Sequence, residues 1–250
     1  MQLCFVISHY YVRRYKSYIK MYVDRINLFY PRSFVIIVDN QSEYLDDIRL
    51  CLKGYSNVAI IVNNSDCMFE VGAYKEGIRF INDCGVLFKF DYFIFSQDTF
   101  VANNPYDFRL LKARNIQAAS FNHLHEWCDM KDDPIVRRVL SKLDLFDLYD
   151  GYNFNLCWCN SFILSSFRVL DFFEIVKHEQ IFGRYAGSVQ SERYLAGILF
   201  FLNSYSYMSI CGDAATPEAL GYDCWKVDIH VNSLPHAFVK EVQQKRENTR

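Results

Sequence analysis

The chain has 250 residues, of which 51% are hydrophobic, and this length and composition suit one large α/β domain with a substantial core. Its formal net charge of −2 leaves no excess of Lys and Arg to neutralise phosphates, so nucleic acid is disfavoured as a partner. The nine cysteines form no CxxC pair of the kind that zinc sites use, and we expect most of them to be free thiols in a reducing compartment.

From the sequence we expect neither a targeting segment nor a membrane-spanning segment. Its start, MQLCFVISHYYVRRYK, reads as a strand and reaches Arg within about a dozen residues, which is unlike a signal peptide. No apolar run approaches the roughly 20 residues that would span a bilayer. We therefore expect a soluble, cytoplasmic protein with no transmembrane segment.

The first hundred residues alternate between short apolar runs and amphipathic runs of helical length. The predicted strands are LCFVIS (3–8), SFVIIVDN (33–40), NVAIIV (57–62) and FDYFIFS (90–96). The predicted helices are YYVRRYKSYIKMYVDRINLF (10–29), LDDIRLCLKG (45–54) and EVGAYKEGIRFINDCG (70–85). This alternation is typical of βαβ units, so the predicted fold class is α/β, with a Rossmann-like, mostly parallel central sheet flanked by helices.

The second half of the chain is less regular, and no domain boundary is visible in it. We predict strands in IQAASFNHL (116–124), NLCWCNSFILSS (155–166) and SYMSICG (206–212). The predicted helices are PIVRRVLSKLDLFDLY (134–149), VLDFFEIVKH (169–178) and SERYLAGILFFLNSY (191–205).

Polar residues stand where the predicted strands of the first half end. In open α/β sheets, ligands bind beyond the carboxyl ends of the strands. The residues expected along that edge are Ser8, His9, Asp39, Asn40, Asn63, Asn64, Gln97 and Asp98.

Two of these residues suggest specific chemistry. A carboxylate at a strand end, such as Asp98, suits a divalent cation bound to a diphosphate, although an Asp that starts a turn is the commoner case. Asp39 has two equally good interpretations. It suits a contact with a base or ribose, and it also suits a turn in which Ser42 caps the next helix. Lys75, near the start of a predicted helix, suits a phosphate.

Because GxxxxGK[ST] and GxGxxG are both absent, ATP hydrolysis and dinucleotide-dependent dehydrogenation are disfavoured.

Three motifs in order, IVDNQS, EVGAYKEGI and FSQDT, resemble those of compact GT-A glycosyltransferases. Small enzymes of this family from large algal viruses, and rhamnan-type bacterial enzymes, are the groups that the chain resembles, over about its first 105 residues. The resemblance implies one GT-A-like domain, with a nucleotide-sugar-binding half (1–105) and an acceptor-binding half (106–240). It also implies transfer from a nucleotide diphosphate sugar, expected to be a UDP-linked hexose, to a glycan or other hydroxyl acceptor, assisted by Mn²⁺ or Mg²⁺. A viral origin would place the protein in host cytoplasm.

Site residues follow from the same resemblance. FSQDT stands in the place of the DxD motif, as an SxD variant in which Ser96 replaces the first acid and Asp98 is the metal ligand. The expected donor-binding residues are Ser8, His9, Asp39, Asn63, Lys75, Ser96 and Gln97. A second metal ligand is expected from the C-terminal part, where Asp228, His230 and His236 are available and His236 is the candidate we name.

The expected catalytic base of an inverting enzyme is Glu192, placed in the first turn of its predicted helix, although an acid there is also common for the helix dipole alone. A cluster of polar and aromatic residues suits an acceptor sugar, with Trp127 as a stacking face. The expected acceptor-binding residues are His123, His125, Trp127 and Asn160.

Two other functions stay open at this point. A nucleotidyltransferase would have the same architecture, but that class usually carries a Gly-rich loop after its first strand, where this chain has SHYYVRR. A non-catalytic nucleotide-sugar-binding module is compatible with the missing first acid of the motif.

Overall fold

The structure is a computed structural model that describes residues 1–11, 17–65, 67, 69–121, 134–144, 160–177, 188–202, 221–223 and 237–240. Strands and helices alternate through the first half of the chain. The elements there are β1 (Leu3–His9), α1 (Ile19–Phe29), β2 (Phe34–Asp39), α2 (Leu45–Leu52), β3 (Val58–Val62), α3 (Phe69–Asp83), β4 (Tyr92–Gln97) and β5 (Phe100–Ala102). A short 3₁₀ turn (Leu87–Lys89) precedes β4.

Helices predominate in the described part of the second half. The elements there are α4 (Arg109–Ala113), β6 (Ala118–Ser120), α5 (Pro134–Lys142), β7 (Phe162–Ser165), α6 (Ser166–Val176), α7 (Ser188–Leu202), β8 (Gly221–Asp223) and β9 (Phe238–Lys240).

Six of the strands form a central sheet in the order β3-β2-β1-β4-β7-β6. The pairs β3–β2, β2–β1 and β1–β4 are parallel, whereas β7 runs antiparallel to both of its neighbours. Three further strands form a small sheet in the order β5-β9-β8. The α/β fold class predicted from the sequence is confirmed, with a mostly parallel central sheet flanked by helices.

Both faces of the central sheet are buried, which explains why its first strands read as continuous apolar runs. Along β1, Phe5 and Ile7 pack on the side of α1, and Val6 packs on the side of α3. α3 comes very close to the sheet at Gly77, where a Cβ atom would lie 2.5 Å from Val6 Cγ1. The absence of a side chain at Gly77 therefore sets the distance between α3 and the sheet.

Several predicted boundaries differ from those in the structure. α5 was predicted to run to residue 149 but ends at Lys142, and Asp144 then adopts a left-handed φ of 57°, which a continuing helix does not allow. β6 and β7 are shorter than their predictions, and β7 follows Asn160, whose φ is 52°. The predicted strand at 206–212 lies outside the described residues.

β5, which begins two residues after Asp98, is not predicted from the sequence. Its partner β9 comes from the far end of the chain, so no local pattern marks the pairing. Within the described ranges, no helix is long and apolar enough to cross a membrane.

Candidate functional site

The carboxyl ends of β1, β2 and β4 lie side by side and form one edge of the central sheet, which we call the rim. In the strand register, His9 pairs with Asp39 on β2, and Ser8 pairs with Gln97 on β4. Asp98, the first residue after β4, continues this pairing, because its backbone N–H donates to Ser8 O at 2.9 Å. The rim thus brings together the predicted donor residues Ser8 and His9 and the predicted metal ligand Asp98.

The carboxylate of Asp98 is fixed through one of its two oxygens. Asp98 Oδ2 lies 2.7 Å from His9 Nδ1 and also accepts the backbone N–H of Tyr10 at 3.1 Å. The other oxygen, Oδ1, makes no hydrogen bond with any described residue. The side chain keeps 15% of its surface exposed, so a ligand at the rim has access to a carboxylate held in one orientation.

The imidazole of His9 is buried, with 1% of the side chain exposed. Because Nδ1 faces a carboxylate, we assign the ring proton to Nδ1. Its other nitrogen, Nε2, is also buried and lacks a hydrogen-bond partner among the described residues. Leaving a buried polar atom unpaired costs about 1–3 kcal/mol, so a water molecule or ligand group next to Nε2 would be stabilised there.

Gln97 joins the rim to the start of α3. Its Nε2 donates to Glu70 Oε1 at 2.5 Å, and Glu70 is a buried acid in the first turn of the helix. A carboxylate in the first turn is favoured by the helix dipole. From the sequence, Glu70 is predicted only to start a helix. An acid in the first turn of a helix was the signal that could have identified Glu70 as part of the site.

A buried amide network connects the ends of β1, β2 and β3. Asn40 Nδ2 donates to Ser8 Oγ at 3.0 Å, and Asn40 Oδ1 accepts Asn63 Nδ2 at 2.8 Å. Asn63 Nδ2 also donates to Cys67 O at 3.0 Å, while its Oδ1 accepts the hydroxyl and backbone N–H of Ser65. The predicted donor residues Ser8 and Asn63 are therefore engaged in holding the rim together.

The loop that precedes α3 packs against the helix at Gly72. A Cβ atom there would lie 1.6 Å from Cys67 O, which no side chain permits. Phe69, at the start of the helix, has a φ of 68°, which is strained for an aromatic residue, and its N–H donates to Asn40 Oδ1 at 3.1 Å. In EVGAYKEGI, Gly72 thus serves the packing of α3 onto this loop, whereas Gly77 serves its packing onto the sheet.

Asp39 is fully buried at the end of β2. Its Oδ2 accepts the backbone N–H of Ser42 at 2.8 Å, and its Oδ1 accepts the Ser42 hydroxyl at 2.5 Å. Ser42 Oγ in turn accepts the N–H of Tyr11 at 2.7 Å. Both carboxylate oxygens of Asp39 are therefore engaged in a turn with Ser42, although Ser42 does not cap α2, whose N-cap residue is Tyr44. A contact of Asp39 with a base or ribose stays a prediction.

Ser96 points away from the rim surface. It is fully buried, and its hydroxyl shares a hydrogen bond of 2.8 Å with the hydroxyl of Tyr22 on α1. Burial raises the pKa of Tyr22 well above its ordinary value, so this phenol stays protonated. Of the first and last residues of the SxD sequence, Asp98 reaches the surface of the rim and Ser96 does not.

Lys75 and Asn160 lie farther along the same end of the molecule. Lys75 is half-buried on α3 near Cys67, whose thiol pKa is raised to about 11 by burial while the lysine charge opposes that rise. Asn160 is fully buried before β7, and its carbonyl accepts the hydroxyl of Tyr74 at 2.8 Å.

The remaining predicted site residues fall outside the described structure. They are His123, His125, Trp127 and His236. Only the backbone of Glu192 is described, and because α7 begins at Ser188, Glu192 lies in the second turn and not in the predicted first turn.

The described residues alone do not form a complete metal site. Within the described ranges, no three His, Cys, Asp or Glu side chains come together to hold a metal ion. Mg²⁺ in nucleotide enzymes, however, is commonly bound by one or two carboxylates together with substrate phosphates and water. A single oriented carboxylate with an unused oxygen, as Asp98 provides, fits a cation of that kind.

No protein-family model matches the sequence. A search of the curated proteins also finds no match. Among solved structures, the chain is similar to core-mannan synthase A from Aspergillus fumigatus in its Mn/GDP form, with a TM-score of 0.45 and 12% sequence identity. The similarity covers 81% of this chain and 70% of that one.

Proposed function

We propose that the protein is a glycosyltransferase that binds a nucleotide diphosphate sugar at the rim and transfers the sugar to a hydroxyl acceptor. The observation that carries this proposal is the carboxylate of Asp98. His9 and the Tyr10 N–H hold it through Oδ2, and Oδ1 has no hydrogen-bond partner among the described residues. It stands at the carboxyl ends of parallel strands, where α/β sheets bind ligands. The order of IVDNQS, EVGAYKEGI and FSQDT along the chain supports the same function.

In this function, Asp98 would hold Mn²⁺ or Mg²⁺ with the help of the donor diphosphate, and the cation would supply positive charge to stabilise the nucleoside diphosphate leaving group. His9 keeps the Asp98 carboxylate in one orientation, so that no ordering of that side chain is needed when the donor binds. Lys75, half-buried on α3, adds positive charge at this end of the molecule. Gln97 and Glu70 fix the start of α3 next to the rim.

The buried polar residues act indirectly. Asp39, Asn63 and Ser8 hold the loops that shape the donor pocket, and Ser96 anchors β4 to α1 through Tyr22. Of the SxD variant, Asp98 alone is proposed to contact the cation. We further propose a UDP-linked hexose as the donor and a glycan as the acceptor.

The acceptor half is proposed from the sequence motifs. His236 is the proposed second protein ligand of the cation, and Glu192 the proposed base that takes the acceptor proton. The acceptor sugar is proposed to contact His123, His125 and Trp127. Asn160, which is buried, is proposed to shape the floor of that region.

The test is a panel of UDP, GDP, TDP and CMP sugars, each incubated with and without Mn²⁺, with release of the free nucleotide as the readout. Metal-dependent release, by hydrolysis or by transfer to an added saccharide, is the expected result. Asp98→Asn is expected to lose it, whereas Asp46→Asn, at a carboxylate with 92% of its side chain exposed, serves as the matched control.

Three other results would each contradict the proposal. Calorimetric binding of a nucleotide sugar without any turnover would identify a binding module. Release of pyrophosphate from a nucleoside triphosphate would identify a nucleotidyltransferase. Absence of binding to every donor would remove the rim as a nucleotide-sugar site.

A further inference from the structure

A cavity of about 310 Å³ lies at the opposite end of the central sheet from the rim. Leu3, the first residue of β1, and Ser33, which precedes β2, form part of its wall. His9 ends β1, and a strand rises about 3.3 Å per residue, so the cavity and the rim are about 20 Å apart. The cavity is therefore separate from the proposed donor site.

Aromatic rings make up one wall of this cavity. The rings of Tyr30 and Phe108 pack edge to face with centroids 5.4 Å apart, and those of Tyr106 and Phe108 do so at 5.1 Å. Phe29 also lines the space. Part of each of these rings lines the cavity, and an aromatic lining suits a further planar ring.

The wall is ordered by hydrogen bonds between residues that are distant in sequence. The hydroxyl of Tyr30 accepts the backbone N–H of Tyr106 at 2.8 Å and joins the end of α1 to the segment after β5. Burial raises the pKa of Tyr30 to about 12, so the phenol is neutral at physiological pH and adds no negative charge to the cavity. The aromatic wall is thus preformed and uncharged.

Among the described side chains that line the cavity, Arg32 is a cation without an ion-pair partner. Arg109 is neutralised by Asp107, which its Nε and an Nη contact at 2.8 and 2.9 Å. Arg32 lines the same cavity, is exposed, and makes no ion pair with any described residue. The charged side chains around the cavity therefore sum to one positive charge.

Ser33 gives the second indication of a ligand. It is 5% exposed, and its hydroxyl is buried without a hydrogen-bond partner among the described residues. Such a hydroxyl normally finds a partner in the protein, in water or in a ligand. Arg32 and Ser33 both line the cavity, so an anionic group bound there has a cation and a hydroxyl available to it.

We propose that this cavity binds a small planar aromatic anion, with its ring against Tyr30, Tyr106 and Phe108 and its carboxylate or phosphate at Arg32 and Ser33. The volume is at the lower end of the range for small-molecule pockets, so the ligand is one ring with one anionic group. This site does not depend on the proposed transferase function, and either can fail without the other.

Benzoate is the probe for the test, with benzamide as its uncharged counterpart and cyclohexanecarboxylate as an anion without an aromatic ring. Backbone amide shifts in two-dimensional NMR spectra of the full chain report where each probe binds. Benzoate at millimolar concentration is expected to shift the amides of Ser33, Tyr106 and Arg109, and to bind more tightly than either of the other probes.

Arg32→Ala is expected to weaken benzoate binding by roughly two- to fivefold, the effect of losing one exposed ion pair, and to leave benzamide unaffected. Arg49→Ala, which removes an exposed arginine on α2, is the matched control and is expected to change nothing. Ser33→Ala is expected to weaken benzoate binding without unfolding the protein, because the hydroxyl it removes has no partner among the described residues.

The assignment is overturned if no probe shifts those amides, or if benzamide or cyclohexanecarboxylate binds as tightly as benzoate. It is also overturned if Arg32→Ala and Arg49→Ala behave alike.

Discussion

His9 Nδ1 lies 2.7 Å from Asp98 Oδ2, a contact between two neighbouring strand ends that are 89 residues apart in the chain. The contact gives the two oxygens of the Asp98 carboxylate different roles. Oδ2 is hydrogen-bonded to His9 and to the Tyr10 N–H, whereas Oδ1 has no hydrogen-bond partner among the described residues. His9 is therefore a positioning residue for Asp98. Its effect on ligand binding is expected to pass entirely through the orientation of that carboxylate.

Replacement of His9 tests this role. His9→Ala is expected to weaken metal-dependent nucleotide binding and to lower the free energy of unfolding by ~1–3 kcal/mol, because a charge-assisted hydrogen bond in a buried site is lost. His9→Asn places its amide nitrogen near the position of Nδ1 and is expected to recover part of the binding. Calorimetric titration and urea unfolding of both variants measure the two effects. Equal binding by His9→Ala and the wild type would show that Asp98 needs no such support.

Ser96 and Tyr22 are expected to act as a structural pair. Ser96→Ala leaves the buried Tyr22 hydroxyl without a partner and is expected to cost ~1–3 kcal/mol of unfolding free energy. The double variant Tyr22→Phe/Ser96→Ala is expected to lose less unfolding free energy than the losses of the two single variants added together. A double-mutant cycle by denaturant unfolding measures this difference.

Nucleotide binding by the same variants separates the structural role of Ser96 from a direct one. Ser96→Ala is expected to bind nucleotide as the wild type does. Ser96→Asp restores the spelling of a DxD motif but places a carboxylate against Tyr22 in the core, so we expect it to destabilise the protein without improving binding. A gain in metal affinity by Ser96→Asp would disprove this placement.

Gly72 is expected to tolerate no side chain. Gly72→Ala would bring Cβ within 1.6 Å of Cys67 O, and we expect a loss of ~3 kcal/mol or more of unfolding free energy. Gly54→Ala is the matched control, because nothing lies within 4 Å of a Cβ there, and it is expected to change stability by no more than ~1 kcal/mol. Thermal and urea unfolding measure both variants, and equal stabilities would show that the loop before α3 yields easily.

Glu76 gives the protein a pH-dependent stability. Its side chain is 3% exposed on α3, and burial raises its pKa above the ordinary value of 4.5, opposed by Arg79 and Lys75. The folded protein then holds this proton more tightly than the unfolded chain does. Stability from Glu76 is accordingly greatest below pH 4.5 and is lost as the pH rises through the raised pKa.

Glu76→Gln does not titrate, so its stability relative to the wild type is expected to improve as the pH rises from 4.5 to neutral. Urea unfolding at several pH values measures this difference. Glu174→Gln, at a side chain that is 62% exposed, is the control and is expected to show a smaller trend. A trend in the opposite direction for Glu76→Gln would mean that Arg79 outweighs burial.

The sequence was most informative where structure is local. The strands of the first half could be predicted because β1, β2 and β4 are buried on both faces and need continuous apolar runs. The parallel arrangement also predicted that His9 and Asp98 would lie on the same edge of the sheet, although it did not predict the contact between them. By contrast, the pairing of β5 with β9 joins segments from distant parts of the chain, and no local pattern encodes it.

Side-chain direction was the other quantity that the sequence left open. Ser96 stands where a ligand of the DxD motif is expected, but the alternation of β4 directs it toward Tyr22. Asp39 likewise ends a strand at the rim, and a neighbouring serine in the same turn occupies its carboxylate. Strand ends were therefore predictable as places, whereas the residues that face a ligand there depend on contacts made across the fold.

The most direct test of the glycosyltransferase proposal is calorimetric titration of UDP and GDP into the wild type, Asp98→Asn and Asp46→Asn, each with and without Mn²⁺. Binding by the wild type and Asp46→Asn is expected to depend on Mn²⁺, and Asp98→Asn is expected to lose at least about tenfold in affinity, or ~1.4 kcal/mol. Wild-type affinity of Asp98→Asn in the presence of Mn²⁺ would contradict the role given to this carboxylate.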